Sequence, residues 1–451
     1  MTNDMTSGNP AKLIIAFMIP TCLGNLFQQF YNLTDSVIAG RYIGVNALAA
    51  IGSTGSLTFL VIGWLNGLTS GFAVLIAQSF GAKKYDRMRH YLAMSILLCT
   101  AFVVVMTAAL EIWNYPILRM MNSPDELIDD VARYMAIIYG GMAVTTAYNA
   151  MSAVLRALGD GRTPLYFLVI SAVLNIVLDI AFIVCLDMGV EGCAYATVIA
   201  QGVSVLLCLV YILKKFDILK LKREHFHISW RSMGHLLGMG IPMGLQFSIT
   251  ALGTIIVQGS INTFGPAVIA GYSAAGKIQN MVTTVFVAFG ATVASFVGQN
   301  QGAGRMDRVR QGVWMTQVMV LVWGVMIIGL VHVFGPYMVN FFVDSSGDGV
   351  REAAMTYFRL VSWCYPFLGS IFIYRNALQG LGYGFMPMMG GVFELAARAL
   401  VIMILAKVAG YEGVCMADPA AWIAALLPIV PYYFYQMKRY EKRAAVSGNH
   451  A

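Results

Sequence analysis

Long apolar stretches, each interrupted by charged residues, glycine or proline, dominate the sequence. A membrane-spanning helix needs about 20 predominantly apolar residues, and twelve stretches are long enough. They lie near residues 11–40, 46–80, 90–118, 131–157, 163–187, 190–214, 236–263, 267–300, 312–340, 352–380, 385–409 and 413–437. A charged connector separates the sixth stretch from the seventh. The pattern predicts an all-α polytopic membrane protein with 12 transmembrane helices.

The composition excludes a soluble fold. Of the 451 residues, 59% are hydrophobic and 11% are charged, whereas charged residues make up roughly 25% of an ordinary soluble domain. The seven cysteines form no CxxC pair, so we predict neither disulfides nor a metal site. The lipid bilayer is therefore the expected surrounding of most of the chain.

The formal net charge of +7 reflects membrane topology and does not indicate nucleic acid binding. Cytoplasmic loops of membrane proteins collect Lys and Arg. With the N-terminus inside, most of the 29 basic residues fall in cytoplasmic segments, Arg375 among them. We predict a multi-pass protein of the cell membrane, monomeric, with both termini in the cytoplasm and no nucleic acid partner.

The two halves of the chain are related by an internal repeat. Ile19-Pro20 recurs as Ile241-Pro242, residues 78–89 match 299–310, and residues 155–164 match 378–387. Equivalent segments lie six spans apart, so the halves have the same orientation in the membrane. Parallel repeats of this kind are typical of transporters that bind cargo between two lobes. A duplicated bundle without transport is the alternative.

The repeat defines the predicted domain organisation. Residues 1–214 form an N-terminal six-helix lobe and residues 236–437 a C-terminal six-helix lobe. Residues 215–235 form a cytoplasmic connector, and residues 438–451 form a basic cytoplasmic tail.

Few ionisable residues fall deep within spans, and each is a functional candidate because a charge in hydrocarbon costs at least about 2.5–3.5 kcal/mol. They are Asp35, Asp179, Lys277, Glu394 and Arg398. Counting about 1.5 Å per helical residue, Asp35 lies roughly 9 Å from the outer end of its helix and Asp179 roughly 12 Å. Both aspartates therefore share one level in the outer half of the first lobe.

Asn175 and Thr197 fall at the level of these two aspartates. Two carboxylates, an amide and a hydroxyl suit a hard monovalent cation or a proton relay, so we expect H⁺ or Na⁺ here and no other cofactor or metal. The alternative is two unrelated aspartates, each capped by local hydrogen bonds. At the repeat offset Asp35 matches Val257, Asp179 matches Ile402 and Asn175 matches Arg398, which confines charge coupling to the first lobe.

Polar side chains recur at helical spacing on the first, fourth and seventh spans. Facing one another, they would line a water-filled cavity for cargo; alternatively, they only bond neighbouring helices. The predicted lining residues are Gln28, Tyr31, Asn32, Thr145, Asn149, Ser152, Gln246 and Thr250.

The remaining buried charges form a predicted C-lobe polar site of Lys277, Glu394 and Arg398. Glu394 and Arg398 are spaced i, i+4, so neutralising each other on one helix is the simplest interpretation, with a direct cargo role as the alternative. Lys277 either senses a carboxylate or ligand of this lobe, or extends its side chain toward the membrane surface. No nucleophile, metal set or protease motif converges, so an intramembrane enzyme is disfavoured.

Several motifs together resemble the multidrug and toxic compound extrusion (MATE) family. They are NLTDSVIAGR at 32–41, residues 44–50, Gly81-Ala82, RALGDGR at 156–162, NIVLD at 175–179 and GQNQG at 298–302. The resemblance is closest to the DinF-like branch and covers nearly the whole chain. It implies two six-helix lobes in a V shape around a central cavity.

The resemblance also implies a function. It implies a secondary transporter, not an enzyme, that exports cationic or amphipathic small molecules by antiport against H⁺ or Na⁺ with alternating access. Asp35, Asn175, Asp179 and Thr197 would form the coupling-cation cluster, and Pro20 would be a hinge in the first helix. A flippase for lipid-linked or polysaccharide precursors, from a related superfamily, is the alternative.

Overall fold

The computed structural model describes the backbone of residues 4–42, 45–121, 128–342 and 348–448. It describes their side chains except those of residues 31–33, 35–37, 39–40, 45–53, 56, 340–342, 348 and 444–448. Helices make up almost all of this described chain.

Eight α-helices form the first half of the fold. They are α1 (Pro10–Tyr42), α2 (Val45–Gly81), α3 (Tyr85–Ile112), α4 (Asn114–Met120), α5 (Ile128–Gly140), α6 (Met142–Ala157), α7 (Arg162–Ile180) and α8 (Gly189–Lys215). A π-helix, Ala181–Cys185, continues α7, and two short 3₁₀ helices, Asp217–Leu219 and Arg223–Phe226, lie in the connector.

Seven α-helices form the second half. They are α9 (Trp230–Ile261), α10 (Pro266–Gly302), α11 (Met306–Phe342), α12 (Asp348–Val361), α13 (Tyr365–Gly380), α14 (Phe385–Cys415) and α15 (Ala417–Gly448). A 3₁₀ turn, Ser362–Cys364, joins α12 to α13. Among the described residues, eight helices are long and apolar enough to cross a membrane by length and composition alone. The predicted all-α polytopic membrane class is confirmed.

Three of the twelve predicted spans are each formed by two helices. Residues 90–118 divide at Trp113, residues 131–157 at Gly141, and residues 352–380 at the 3₁₀ turn. A Cβ atom on Gly141 would lie 2.3 Å from Cγ2 of Val198, so the glycine permits close packing of α8 at this break. Pro366 lies in the first turn of α13, where a missing N–H is tolerated.

The backbone repeats its unusual conformations in both halves. Gly159 has a φ of 83° and Gly382 of 92°, and these glycines lie at equivalent turns. Gly189 and Gly410 share a φ of 58°. Positive φ is accessible to glycine without steric penalty, so the same turns require the same residue in each half. The internal repeat is thus visible in the backbone as well as in the sequence.

The chain divides into two compact units within α1 and α9 instead of at the connector. The N-terminal unit is formed mainly by Leu23–Gly244. The C-terminal unit is formed by Met5–Cys22 together with the chain from Leu245 onward. The first part of α1 therefore belongs to the C-terminal unit and the first part of α9 to the N-terminal unit.

The segment before α1 is anchored to the C-terminal unit. Met5 is buried, and its backbone N–H donates to Oε1 of Gln299 at 2.9 Å. The guanidinium of Arg308 donates to the carbonyl oxygens of Met5 at 3.1 Å and Gly8 at 2.9 Å. These bonds hold the segment before α1 against the end of α10 and the first turn of α11.

The connector is anchored to the N-terminal unit in an equivalent way. Nε of Arg89 donates to the carbonyl oxygen of Ile218 at 3.0 Å. The ring of His90 lies 3.0 Å from the carbonyl oxygen of His225 through Nδ1 and 3.0 Å from Oγ of Ser232 through Nε2. The first turns of α3 thus hold the connector and the start of α9.

Glycines allow α2 and α9 to approach closely inside the N-terminal unit. A Cβ on Gly67 would lie 2.5 Å from the carbonyl oxygen of Met243, and one on Gly71 would lie 2.7 Å from Cα of Gly240. Each helix carries its glycines four residues apart, a spacing that favours close helix packing in membranes. Because backbone atoms fill the adjoining space, no side chain fits there.

We predict that Gly71→Leu lowers the free energy of unfolding of the protein by about 1–3 kcal/mol or more, because the new side chain forces α2 away from α9. Thermal unfolding of the purified protein in detergent measures this. Gly55→Leu on the same helix is the control, since no atom lies within 4 Å of its Cβ position. Equal midpoints for the two variants would contradict the packing argument.

Candidate functional site

The start of α7 is fixed by an aspartate that precedes it. Oδ1 of Asp160 accepts hydrogen bonds from the backbone N–H groups of Arg162 at 3.1 Å and Thr163 at 3.0 Å. Oδ2 accepts from the hydroxyl of Thr163 at 2.6 Å. A carboxylate in this position satisfies N–H groups that have no partner within the helix. It sets the register in which α7 presents its polar residues.

Asn175 and Asp179 lie one turn apart on α7, and both are fully buried. Thr197 on α8 is half-buried, and Nδ2 of Asn175 donates to its hydroxyl at 3.4 Å. Within the described chain, Oδ1 of Asn175 has no hydrogen-bond donor. The structure therefore brings together three of the four residues of the predicted coupling cluster.

The side chain of the fourth residue, Asp35, lies outside the part of the chain that the structure describes, as do those of Tyr31 and Asn32. Their backbone belongs to α1.

A π-helix, Ala181–Cys185, begins two residues after Asp179. Single π-turns inside α-helices occur frequently at functional sites. Sequence reasoning missed this element, because the residues of 181–185 are ordinary apolar residues and no local pattern marks the change of hydrogen bonding.

The turn that follows the π-helix borders a charged cavity. It has a volume of about 230 Å³ and is lined by Asp130, Arg133, Asp187, Met188, Gly189, Val190 and Glu191. The guanidinium of Arg133 lies 2.6 Å from Asp130 and 3.2 Å from Glu191. Two of the three acids that line this cavity therefore share one basic residue.

The predicted cavity residues of the first half are in mixed surroundings. The hydroxyl of Thr145 donates to Oε1 of Gln201 at 2.6 Å, so Thr145 bonds a neighbouring helix. Ser152 is buried, whereas Gln28 and Asn149 are half-buried. Thr145 is half-buried as well, so Gln28, Thr145 and Asn149 all retain the exposure that a lining residue requires.

On α9, Gln246 and Thr250 are half-buried and locally bonded. Oε1 of Gln246 accepts from Nε2 of Gln379 at 3.0 Å, and the hydroxyl of Thr250 donates to the carbonyl oxygen of Gln246 at 3.0 Å. Further along the helix Thr254, Gln258 and Asn262 are exposed. A polar stripe therefore does run along α9.

The C-terminal unit contains a buried network of charges. Nη2 of Arg375 lies 2.6 Å from Oε1 of Glu394, and Nε of Arg398 lies 3.1 Å from Oδ1 of Asp418. The predicted pair within α14, Arg398 with Glu394, is the longest contact of the set, at 3.9 Å between Nη1 and Oε2. Two shorter ion pairs between helices therefore accompany the pair expected within one helix.

Sequence reasoning missed Arg375 and Asp418. The charge pattern placed Arg375 among the cytoplasmic residues, yet it is buried on α13. Asp418, also buried, accepts a hydrogen bond from the hydroxyl of Tyr357 at 3.1 Å, and the same hydroxyl contacts Gln279. The network therefore links α10, α12, α13, α14 and α15. Lys277 is exposed on α10.

Pro20 lies inside α1, two residues before the point at which the helix passes from one unit to the other. Pro242 holds the equivalent place in α9. A proline removes one backbone hydrogen bond from a helix, so each crossing helix is weakened where it changes unit.

Two duplicated halves of apolar helices, each with a buried polar pair between neighbouring helices, define a class of multi-pass membrane transporters. The sequence profile of the MatE family matches residues 20–181 and 242–405, once in each half. The chain belongs to this family of membrane transporters.

Known proteins agree with this assignment. The chain is 30% identical over 383 residues to the probable multidrug resistance protein YpnP of Bacillus subtilis (strain 168), covering 84% of both chains. A MATE crystal structure in the bent conformation superposes with a TM-score of 0.90 at 21% identity, covering 98% of both chains. One in the straight conformation gives 0.89 at 20% identity, covering 97% of this chain and 98% of that one. The family and the two-lobe, twelve-helix fold are confirmed.

We predict that Glu394→Gln lowers the free energy of unfolding by about 3–5 kcal/mol, because it leaves the buried guanidinium of Arg375 uncompensated. The midpoint of thermal unfolding measures this. Glu441→Gln is the control: Glu441 contacts Arg310 at 3.0 Å on the surface, where such pairs contribute about 0–1 kcal/mol. A small effect of Glu394→Gln, similar to the control, would show that this pair is not important for stability.

Proposed function

We propose that this protein exports cationic or amphipathic small molecules by exchanging them for H⁺ or Na⁺ across the cell membrane. The observation that carries the proposal is the buried cluster of Asn175, Asp179 and Thr197 between α7 and α8. The name of the relative from Bacillus subtilis, a probable multidrug resistance protein, supports the cargo class.

The cluster has the chemistry of a monovalent cation site. Asp179 is fully buried, and a buried carboxylate is neutralised most simply by taking up a cation. Hard cations prefer oxygen ligands, and the buried Oδ1 of Asn175 and the hydroxyl of Thr197 are neutral oxygens beside the carboxylate. Oδ1 of Asn175 has no donor among the described residues, which leaves its lone pairs available to a cation.

Asp35 completes the proposed site, and the duplication supports this. Its counterpart in the second half is Val257, and the counterpart of Asp179 is Ile402. Val257 and Ile402 belong to the same apolar cluster of the C-terminal unit. Because the two equivalent positions lie in one apolar cluster of the C-terminal unit, we infer that Asp35 approaches Asp179 in the N-terminal unit.

Exchange follows from different affinities of two conformations for the ion. A cation that binds one conformation more tightly shifts the protein toward it, and cargo that prefers the other is released. Pro20 is the proposed hinge, because α1 changes unit directly after it. The existence of bent and straight structures with this fold supports such a motion.

The proposed setting is a monomer in the cell membrane with both termini in the cytoplasm. Basic residues support this orientation, since Lys214 and Lys215 are exposed in the last turn of α8 and Lys220 is exposed in the connector. Cargo and coupling ion would be the only ligands.

We predict that Asp35→Asn and Asp179→Asn each reduce export to the background level, because a neutral amide cannot exchange charge with the coupling ion. Purified protein in liposomes, with a cationic dye as cargo and pH and sodium gradients imposed separately, measures this. Asp187→Asn is the matched control, since Asp187 is exposed in the turn after α7. Export at the wild-type rate by a folded Asp179→Asn protein would remove the mechanism.

We predict that Asn175→Leu weakens the binding of the coupling ion without abolishing export. Losing one ligand to a charged partner costs about 1.5–3 kcal/mol, which corresponds to a rise of roughly tenfold or more in the ion concentration for half-maximal export. The dye assay over a series of ion concentrations measures the shift. An unchanged half-maximal concentration would exclude Asn175 as a ligand.

A further inference from the structure

Each unit contains a contact between two side chains on neighbouring helices, and the two contacts occupy equivalent places. In the N-terminal unit Nδ2 of Asn175 donates to the hydroxyl of Thr197 at 3.4 Å. In the C-terminal unit Nε of Arg398 donates to Oδ1 of Asp418 at 3.1 Å. The first contact joins α7 to α8, and the second joins α14 to α15.

Two sequence matches fix this equivalence. Residues 159–164 (GDGRTP) align with 382–387 (GYGFMP), which relates position 175 to position 398. Residues 189–192 (GVEG) align with 410–413 (GYEG), which relates position 197 to position 418. The glycines that begin the second pair of segments have the same φ of 58°. Sequence and backbone thus give the same correspondence.

Three pairs of equivalent positions differ in charge between the two places. The positions equivalent to Asp35 and Asp179 hold the apolar residues Val257 and Ile402. The amide of Asn175 is replaced by the guanidinium of Arg398. At these positions the N-terminal unit therefore has carboxylates and no basic residue. The C-terminal unit has the guanidinium of Arg398 and no carboxylate.

The surroundings of Arg398 resemble those of a bound cation. Arg398 is 5% exposed, and its guanidinium lies 3.1 Å from Asp418 and 3.9 Å from Glu394. A Cβ on Gly253 of α9 would lie 2.7 Å from Nη1 of Arg398. The glycine leaves the space that the guanidinium occupies, and two carboxylates supply negative charge on its other sides.

The buried network is neutral without any added ion. Arg375 and Arg398 balance Glu394 and Asp418, and an arginine side chain stays protonated at all accessible pH values. A guanidinium is covalently attached, so it cannot leave when the protein changes conformation. The C-terminal unit therefore keeps its charge through the transport cycle.

We propose that Arg398 is a tethered counterpart of the coupling cation: its guanidinium fills, in the C-terminal unit, the place that the exchangeable ion takes in the N-terminal unit. The inference rests on the proposed function for the identity of the N-terminal site. It limits the protein to one exchangeable ion site, and it makes Arg398 a positioning residue for Glu394 and Asp418.

Chemical rescue tests whether the place of Arg398 is a cation site. We expect Arg398→Ala to lower the midpoint of thermal unfolding and methylguanidinium chloride at low millimolar concentration to restore most of the loss in a saturable way. Tetramethylammonium chloride at the same ionic strength, which has no N–H donors, should not. In the double variant with Arg398→Ala and Asp418→Asn, the rescue should be lost. An Arg398→Ala protein that does not respond to methylguanidinium would overturn the proposal.

A second experiment tests whether the protein has a single exchangeable ion site. It does not require an Arg398 variant to fold. The midpoint of thermal unfolding is measured for Asp179→Asn in sodium chloride and in choline chloride. With Arg398 intact, we expect no saturable effect of sodium in this variant. A saturable sodium effect there would show an exchangeable site in the C-terminal unit and would overturn the proposal.

Removing the guanidinium should then create a second exchangeable site. In the double variant with Asp179→Asn and Arg398→Ala, we expect sodium or methylguanidinium to raise the midpoint of thermal unfolding. In the double variant with Asp179→Asn and Arg398→Lys, neither ion should change the midpoint, because the ammonium group of the lysine keeps the positive charge. Absence of any response in the former, folded variant would contradict the tethered-cation role.

Failure of this proposal is distinguishable from failure of the proposed function. If export occurs but does not depend on H⁺ or Na⁺, the proposed function fails, whereas the methylguanidinium rescue of Arg398→Ala remains decisive for Arg398. If export is coupled to an ion but the rescue is absent, the tethered cation alone is wrong.

Discussion

A charge buried in the membrane must be neutralised at short range, because hydrocarbon offers no solvation. In the C-terminal unit the protein itself meets this constraint: Arg375 and Arg398 lie against Glu394 and Asp418 in ion pairs that connect neighbouring helices. In the N-terminal unit the equivalent place holds Asn175, fully buried Asp179 and Thr197. In the proposed mechanism a mobile cation neutralises this carboxylate, and its exchange is the physical basis of the ion coupling.

Duplication supplied one backbone for two different roles. Gly189 at the start of α8 and Gly410 near the end of α14 have the same positive φ. A side-chain contact between neighbouring helices lies at an equivalent place in each unit, Asn175 with Thr197 in one and Arg398 with Asp418 in the other. A few substitutions at equivalent positions then distinguish the proposed exchangeable site from the buried ion-pair network. Ion pairs and hydrogen bonds of this network join five helices. We expect them to stiffen the C-terminal unit.

The crossing helices show how the two units are kept connected. The beginning of α1 is held in the C-terminal unit by Gln299 and Arg308, and the beginning of α9 is held in the N-terminal unit by Arg89 and His90. Each helix then passes a proline directly before it changes unit. A helix anchored at one end and weakened at the crossing can bend there without losing its anchor.

From the amino-acid sequence alone came the all-α membrane class and the repeat, because hydropathy and residue spacing are local properties that translate directly into helix length. One membrane level for Asn175, Asp179 and Thr197 stays a prediction. The partners depended on tertiary structure. Glu394 and Arg398 are one turn apart and lie 3.9 Å apart, as a mutual pair requires, but Arg375 on α13 and Asp418 on α15 form shorter ion pairs with them. Tertiary structure also decided that the chain divides within α1 and α9 and that a π-helix follows Asp179. Contacts between residues far apart in the chain depend on how helices pack, and no local pattern encodes that geometry.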